Sequence, residues 1–180
     1  MISTDYEHEK NWWNNKAQKE ENDMFDEQIN RALRWREIKK NLTPDICSIL
    51  DVGGATGIFS LLLAEMGYKV VHFDLSDEMI KLAQEKANRM NLSNISFKQG
   101  NSVDLSMFED NSFDMVINMD GAISFCGIDA IKAIRESIRL AKHKVIMTVT
   151  NRGNMIVSLL KSCHRFYSDK LIPAVYSMFN

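Results

Sequence analysis

The residues of this 180-residue chain whose types and spacing could do chemistry are concentrated between Ile49 and Asp74, where it reads ILDVGGATGIFSLLLAEMGYKVVHFD. Two carboxylates, Asp51 and Asp74, bracket a turn that holds Gly53, Gly54 and Gly57. Glycine lets the backbone bend sharply and leaves no Cβ between the main chain and a ligand. A carboxylate at the tip of the strand after such a turn is placed to accept hydrogen bonds from a ribose diol. The elements that must position these groups follow from their apolar neighbours. Ile49, Leu50 and Val52 read as a strand buried on both faces. Ile58, Phe59 and Leu61 to Leu63 make an apolar helix, with Gly67 where a C-terminal capping glycine belongs. Val70, Val71 and Phe73 form the next strand, which ends at Asp74.

The dinucleotide fingerprint G-x-G-x-x-G fails here, because Ala55 and Ile58 stand at its second and third glycine places. A nicotinamide-dependent oxidoreductase is therefore the weaker alternative. The run D-V-G-G-A-T-G resembles motif I of the class I S-adenosylmethionine-dependent methyltransferases, acid-x-Gly-x-Gly-x-Gly, with Ala55 replacing the middle glycine. The resemblance implies S-adenosylmethionine as cofactor, with Gly53, Gly54, Ala55 and Gly57 as a backbone cradle and Asp51 near the methionine end. The amino-acid end of that molecule needs a carboxylate for its ammonium and N–H groups for its carboxylate, and a helix N-terminus supplies the latter. The resemblance further implies Asp74 on the ribose, Leu75 against the adenine, and Asn101 and Ser102 at the adenine edge. The run F-D-M-V-I-N-M-D-G, residues 113–121, resembles the family's next motif. It would bring Asn118, Met119, Asp120 and Gly121 near the sulfonium. Asp120 is then the candidate catalytic residue, an acid able to orient or deprotonate an acceptor hydroxyl or amine. Read without the family, it is a solvated loop aspartate.

Composition bounds the function classes. A net charge of −2 predicts no general affinity for nucleic acid or anionic membrane. No apolar run is long enough to span a bilayer, and the polar start MISTDYEHEK does not read as a signal peptide. Three widely spaced cysteines, Cys47, Cys126 and Cys163, fit a reduced, cytoplasmic setting. No metal-ligand spacing is present, since Cys163 and His164 would point to different sides of a helix.

Outside the central unit, the polar segment 1–41 predicts one or two amphipathic helices, with Met24 or Phe25, Ile29, Leu33 and Arg36 at helical spacing. Tyr6, Trp12 and Trp13 either face the substrate from a lid or anchor a helix to the body. Ser76 caps a helix whose buried stripe is Met79, Ile80, Ala83, Ala87 and Met90. Ile95 and Phe97 mark a third strand, and 113–117 a fourth. A helix opening at Gly127 or Asp129 carries Ile128, Ile131, Ile134, Ile138 and Ala141 as a core stripe, with Lys142, His143 and Lys144 at its C-terminus. Val145 to Val149 form a fifth strand, and Met155 to Tyr167 return to helical spacing.

This alternation predicts an α/β, Rossmann-like, doubly wound, mainly parallel sheet with helices on both faces. The expected segments are a helical lid (1–41), the S-adenosylmethionine-binding domain (42–150) and a helical cap (151–180). The family fold has seven strands, the last two antiparallel at the sheet edge, so the chain resembles a methyltransferase cut short after the fifth. A homo-oligomer formed through the incomplete edge is one expected consequence. The implied reaction is in-line SN2 transfer of a methyl group to an O, N or C atom of a small molecule. A nucleic-acid base is disfavoured, because Asn118-Met119-Asp120-Gly121 stands where enzymes acting on base amines often carry Asn-Pro-Pro-aromatic. A non-catalytic cofactor-binding partner subunit is the second reading.

Overall fold

The computed structural model describes residues 4–17, 25–119 and 122–149. The chain divides into two compact units, Met1–Val149 and Thr150–Asn180. The second, with the helices expected after residue 150, lies outside the described residues, as do Asp120 and Gly121.

Two helices come first, α1 (Tyr6–Lys16) and α2 (Phe25–Asn41). Five strands follow, β1 (Ser48–Val52), β2 (Lys69–Asp74), β3 (Ile95–Gln99), β4 (Phe113–Asn118) and β5 (Ala141–Met147). They form one parallel sheet in the order β3-β2-β1-β4-β5. Helix α3 (Ile58–Glu65) joins β1 to β2, and α4 (Asp77–Arg89) joins β2 to β3. A short α5 (Ala122–Phe125), a 3-10 turn (Gly127–Asp129) and α6 (Ala130–Leu140) lie between β4 and β5. The chain winds outward from β1 to β3, then returns to the other side of β1 for β4. A crevice opens at the carboxyl ends of the strands where the winding reverses, and such crevices bind ligands.

Parallel strands are buried on both faces, and the core falls accordingly into two layers. Ile49, Met115, Ile117 and Val70 pack with Ile38 of α2 and Leu63 of α3 on one face. Leu50, Val52, Phe73 and Val116 pack with Leu140 of α6 on the other. Helix α4 starts as its sequence predicts: the Ser76 hydroxyl accepts the Met79 N–H at 3.1 Å, and Met79, Ile80, Ala83 and Ala87 are buried. Met90, expected in that stripe, is exposed.

Two expectations are corrected. Ile131 and Ile138 are 58% and 57% exposed, and Ile128 is exposed with them. Helix α6 instead turns Ala133, Ser137 and Leu140 inward. Small side chains let a helix approach a sheet closely, and here Ala133 and Ser137 share the contact face with Leu140, while Ile134 alone of the expected isoleucines packs against the core. Lys142, His143 and Lys144 belong to β5, not to the end of the helix. β5 is one of the two outer strands among those described, where polar side chains reach water. Lys144 also ties it to the end of α2 by donating to Asn41 O and Thr43 Oγ1 at 2.8 and 2.9 Å. In α2, Ile29 and Leu33 are likewise exposed, and Trp35 and Ile38 make the contact with the body.

Asp114, the acid that opens β4, has a structural task. Its Oδ2 accepts the Cys47 and Ser48 N–H groups and the Ser48 hydroxyl at 2.9–3.0 Å. This ties the entry of β1 to its neighbour strand. Asp114→Ala is expected to lower unfolding stability by about 1–3 kcal/mol in urea titration, with the crevice unaffected.

Candidate functional site

The turn between β1 and α3 is bound to the tip of β2 by three hydrogen bonds and closed on itself by a fourth. The Gly53 and Gly54 N–H groups donate to Phe73 O at 2.8 and 3.1 Å, and Gly57 N–H donates to Gly54 O at 2.9 Å. The Ala55 N–H donates to Asp74 Oδ2 at 2.8 Å. The other carboxylate oxygen, Oδ1, accepts the Ser76 N–H at 2.8 Å. Both Asp74 oxygens are thus oriented by backbone amides. Gly57 has φ +87°, a backbone region that L side chains rarely adopt. Ala55 sits at φ +48°, so the position where the family pattern has glycine is strained for its alanine.

Beneath the turn lies a polar cluster that sequence reasoning did not find. Asp51 and His72 are register partners on adjacent strands, so both point to the same face of the sheet. Ser60 of α3 meets them there. Its hydroxyl donates to Asp51 Oδ2 at 2.5 Å and lies 2.9 Å from His72 Nδ1. All three are buried, and His72 Nε2 has no hydrogen-bond partner. Burial pushes the Asp51 carboxyl up to about 7 and holds the His72 imidazole down at about 4. The imidazole fills the space that a side chain on Gly54 would need. The absent Cβ of Gly54 therefore makes room for a protein group, not for a ligand.

The crevice above is walled by Gly53, Gly54, Ala55, Phe73, Asp74, Leu75, Gly100, Asn101 and Ser102 from the strand ends. Ile58 and Phe59 of α3, Met79 of α4, and Met119, Ala122, Phe125 and Cys126 continue the wall. Tyr6, Glu9 and Trp13 of α1 and Arg31 and Arg34 of α2 complete it. Helix α1 lines the crevice and is tied to the body at both sides. At one side Asn14 donates to Asp77 Oδ1 at 3.0 Å and accepts from the Ser76 hydroxyl at 2.5 Å. At the other Tyr6 donates to Asp129 Oδ2 at 3.2 Å, and Trp13 meets Phe125 edge-on at 5.1 Å. Burial, helped by Cys126 and Asp129, pushes the Tyr6 hydroxyl up to about 12, so it stays neutral near pH 7.

Of the residues singled out by sequence, the structure brings Gly53, Gly54, Ala55, Asp74, Leu75, Asn101 and Ser102 to the crevice wall. Asp51 lies below the turn at 1% exposure, and Gly57 and Asn118 are set back from the wall. Asp120 lies outside the described residues. The sequence reading missed Glu9, Arg31 and Arg34. Their signal was the three-residue spacing of the arginines in a segment read only for its apolar face.

A nucleoside carrying a charged amino-acid end suits this donor set. Asp74 offers a prepared acceptor pair for a diol. Leu75 offers apolar surface beside the amide of Asn101, and the almost fully buried Phe73 and Met79 line the same wall. Both side-chain polar atoms of Asn118 are buried without a partner next to Met119, which marks a polar place under the crevice floor. Among the described residues no cluster of His, Cys, Asp or Glu could hold a metal ion, and no described helix is long and apolar enough to cross a membrane.

The buried cluster has a pH signature. Asp51, whose folded pKa lies above its ordinary value of 3.8, contributes stability that is lost as pH rises from about 4 to about 7. His72, held below 6.5, costs stability as pH falls from about 6.5 to about 4. The two slopes oppose each other. Asp51→Asn should leave stability rising with pH between about 4 and 6.5, and His72→Asn should leave it falling. Urea midpoints at stepped pH measure this, and identical slopes in both variants would sink the assignment.

A methyltransferase-domain family model matches residues 49–144. The chain is 31% identical over 140 residues to the ubiquinone/menaquinone biosynthesis C-methyltransferase UbiE of Salmonella paratyphi B, covering 73% of this chain and 53% of that protein. It thus spans about half the length of that relative. The PH0226 protein of Pyrococcus horikoshii superposes with a TM-score of 0.65 at 30% identity, over 75% of this chain and 64% of that one. An S-adenosylmethionine-dependent methyltransferase of Methanosarcina mazei gives a TM-score of 0.50 at 31% identity, over 58% of this chain and 52% of that one. With its parallel sheet wound from β1, its Asp74-braced glycine turn and these relatives, the chain belongs to the class I S-adenosylmethionine-dependent methyltransferase family.

Proposed function

We propose that this chain moves a methyl group from S-adenosylmethionine to an O, N or C atom of a small molecule by in-line displacement. The observation that carries the reading is Asp74, its two oxygens oriented by the Ala55 and Ser76 amides at the wall of an aromatic-lined crevice. The bound cofactor supplies a methyl group already activated by its sulfonium. What remains for the protein is alignment and exclusion of water. Asp74 holds the ribose, Leu75 covers the base, and Asn101 meets its edge. Trp13, Phe59 and Phe125 form the apolar wall against which an acceptor is held. Asp120 follows Met119, whose side chain lines the crevice, and is proposed to orient or deprotonate the acceptor. The Salmonella relative is named for C-methylation in quinone biosynthesis, and a flat ring suits an aromatic wall. Cys47 and Cys126 are unpaired thiols, which supports a reducing, cytoplasmic setting.

Titration calorimetry of the full chain tests the cofactor. S-adenosylhomocysteine should bind, NAD should not, and Asp74→Ala should weaken the former at least about tenfold through loss of charge-assisted hydrogen bonds. Preferential binding of NAD would falsify the assignment. We also propose that a second copy pairs along the outer edge of β5, which among the described residues pairs only with β4. Sedimentation velocity should then show a dimer at micromolar concentration, and a monomer throughout would refute that pairing.

A further inference from the structure

Helix α3 begins on a glycine. Gly57 is its N-cap and brings no side chain to accept the first free amides of the helix. Ile58 and Phe59, which carry two of those amides, line the crevice. The direction of these amides depends on the peptide plane between Thr56 and Gly57. Glycine adopts positive and negative φ with little difference in energy. At φ +87°, Gly57 does not by itself hold that plane in one orientation, and partners at the two ends of the peptide must do so.

Both partners are present. At one end the Gly57 N–H donates to Gly54 O at 2.9 Å. At the other the Lys86 ammonium, from α4, donates to Thr56 O at 2.9 Å. Three residues earlier on the same face of α4, Ala83 is packed so closely on the turn that a Cβ built on Gly57 would lie 3.0 Å from the Cβ of the alanine. Lys86 is half-buried, and burial holds its amine below the ordinary lysine range, with Arg89 adding to the effect. A further interaction within the protein engages it as well. Thr56 is fully buried, and its hydroxyl has no hydrogen-bond partner among the described residues. The side chain of Thr56 therefore does not anchor the turn by hydrogen bonding, whereas its carbonyl does, through the lysine. A charged donor makes a stronger hydrogen bond than a neutral one, so removal of the ammonium frees the plane to turn.

We propose that Lys86 is a positioning residue for cofactor binding: by holding the Thr56 carbonyl it fixes the peptide before Gly57, and with it the amides with which α3 meets the ligand. Lys86 does not line the crevice, so it acts through the turn and not on the ligand. This rests on the methyltransferase reading above.

The test uses the full chain as wild type, Lys86→Met and Lys86→Arg. Lys81→Met serves as a control on the same helix, since the Lys81 ammonium is exposed and lies 4.0 Å from Glu78. Hydrogen exchange of the Gly57 amide is followed by NMR without ligand, and S-adenosylhomocysteine is titrated calorimetrically. In Lys86→Met the Gly57 amide should exchange about tenfold faster and S-adenosylhomocysteine should bind about tenfold more weakly, the loss expected for one hydrogen bond to a charged group. Lys86→Arg keeps a charged donor and should recover most of both, and Lys81→Met should change neither by more than about twofold. A Gly57 amide that exchanges at the wild-type rate in Lys86→Met overturns the proposal. Faster exchange with unchanged affinity also overturns it, because the contact then serves stability alone, as does an equal rise in exchange throughout the sheet. A wild-type chain that does not bind S-adenosylhomocysteine fails the methyltransferase reading itself, a result the wild-type titration separates from any effect of Lys86.

Discussion

The structure depends on how the β1–α3 turn is tied to the tip of β2. Phe73 O takes two N–H groups from the turn, and Asp74 takes a third. These bonds join the two strands beyond the point where their ladder stops. They set the direction in which α3 leaves the sheet and bring the Asp74 carboxylate over the crevice. They also consume amides that a ligand could otherwise use. The glycine motif therefore acts here as a joint between β1, α3 and β2.

The buried cluster of Asp51, Ser60 and His72 belongs to the same joint. An uncompensated charge at this depth is costly, so burial drives the carboxyl and the imidazole toward their neutral forms. Ser60 then links β1, β2 and α3 through one hydroxyl. The acid of the motif thus braces the turn from below, while Asp74 braces it from the crevice side. Helices α1 and α2 close the opposite wall. Their grip comes from scattered polar ties at Asp77 and Asp129 and from the Trp35–Phe59 stack, because neither helix buries a continuous apolar stripe.

The mistaken stripes share one cause. In α6 and α2 the isoleucines and leucines recur at helical spacing, yet several of them face water. Helical periodicity reports that residues share a face, and it says nothing about which face meets a sheet. Around α6 the contact is made by Ala133, Ser137 and Leu140, the first two small enough to let the helix settle onto the strands. In α2 the inward face carries arginines over the crevice and Trp35 and Ile38 over the core. The basic run from Lys142 to Lys144 was read as a helix terminus, because cations stabilise one. As an outer strand it satisfies the same charges with solvent and with the end of α2.

The sequence alone determined the order of strands and helices, the parallel winding and the family, because these rest on local signals. Apolar runs, crowded glycines and an acid at a strand tip act through neighbours in the chain. It equally placed Asp74, Leu75, Asn101 and Ser102 at the crevice, since strand ends in this winding converge. The tertiary structure alone decided which donors remain for a ligand and which carboxylate is buried. Those outcomes depend on contacts between residues distant in sequence: Gly53 with Phe73, Asp51 with His72, and α2 with the first turn of α3. No periodicity encodes such pairings. They emerge only when the sheet register and the helix approach are set.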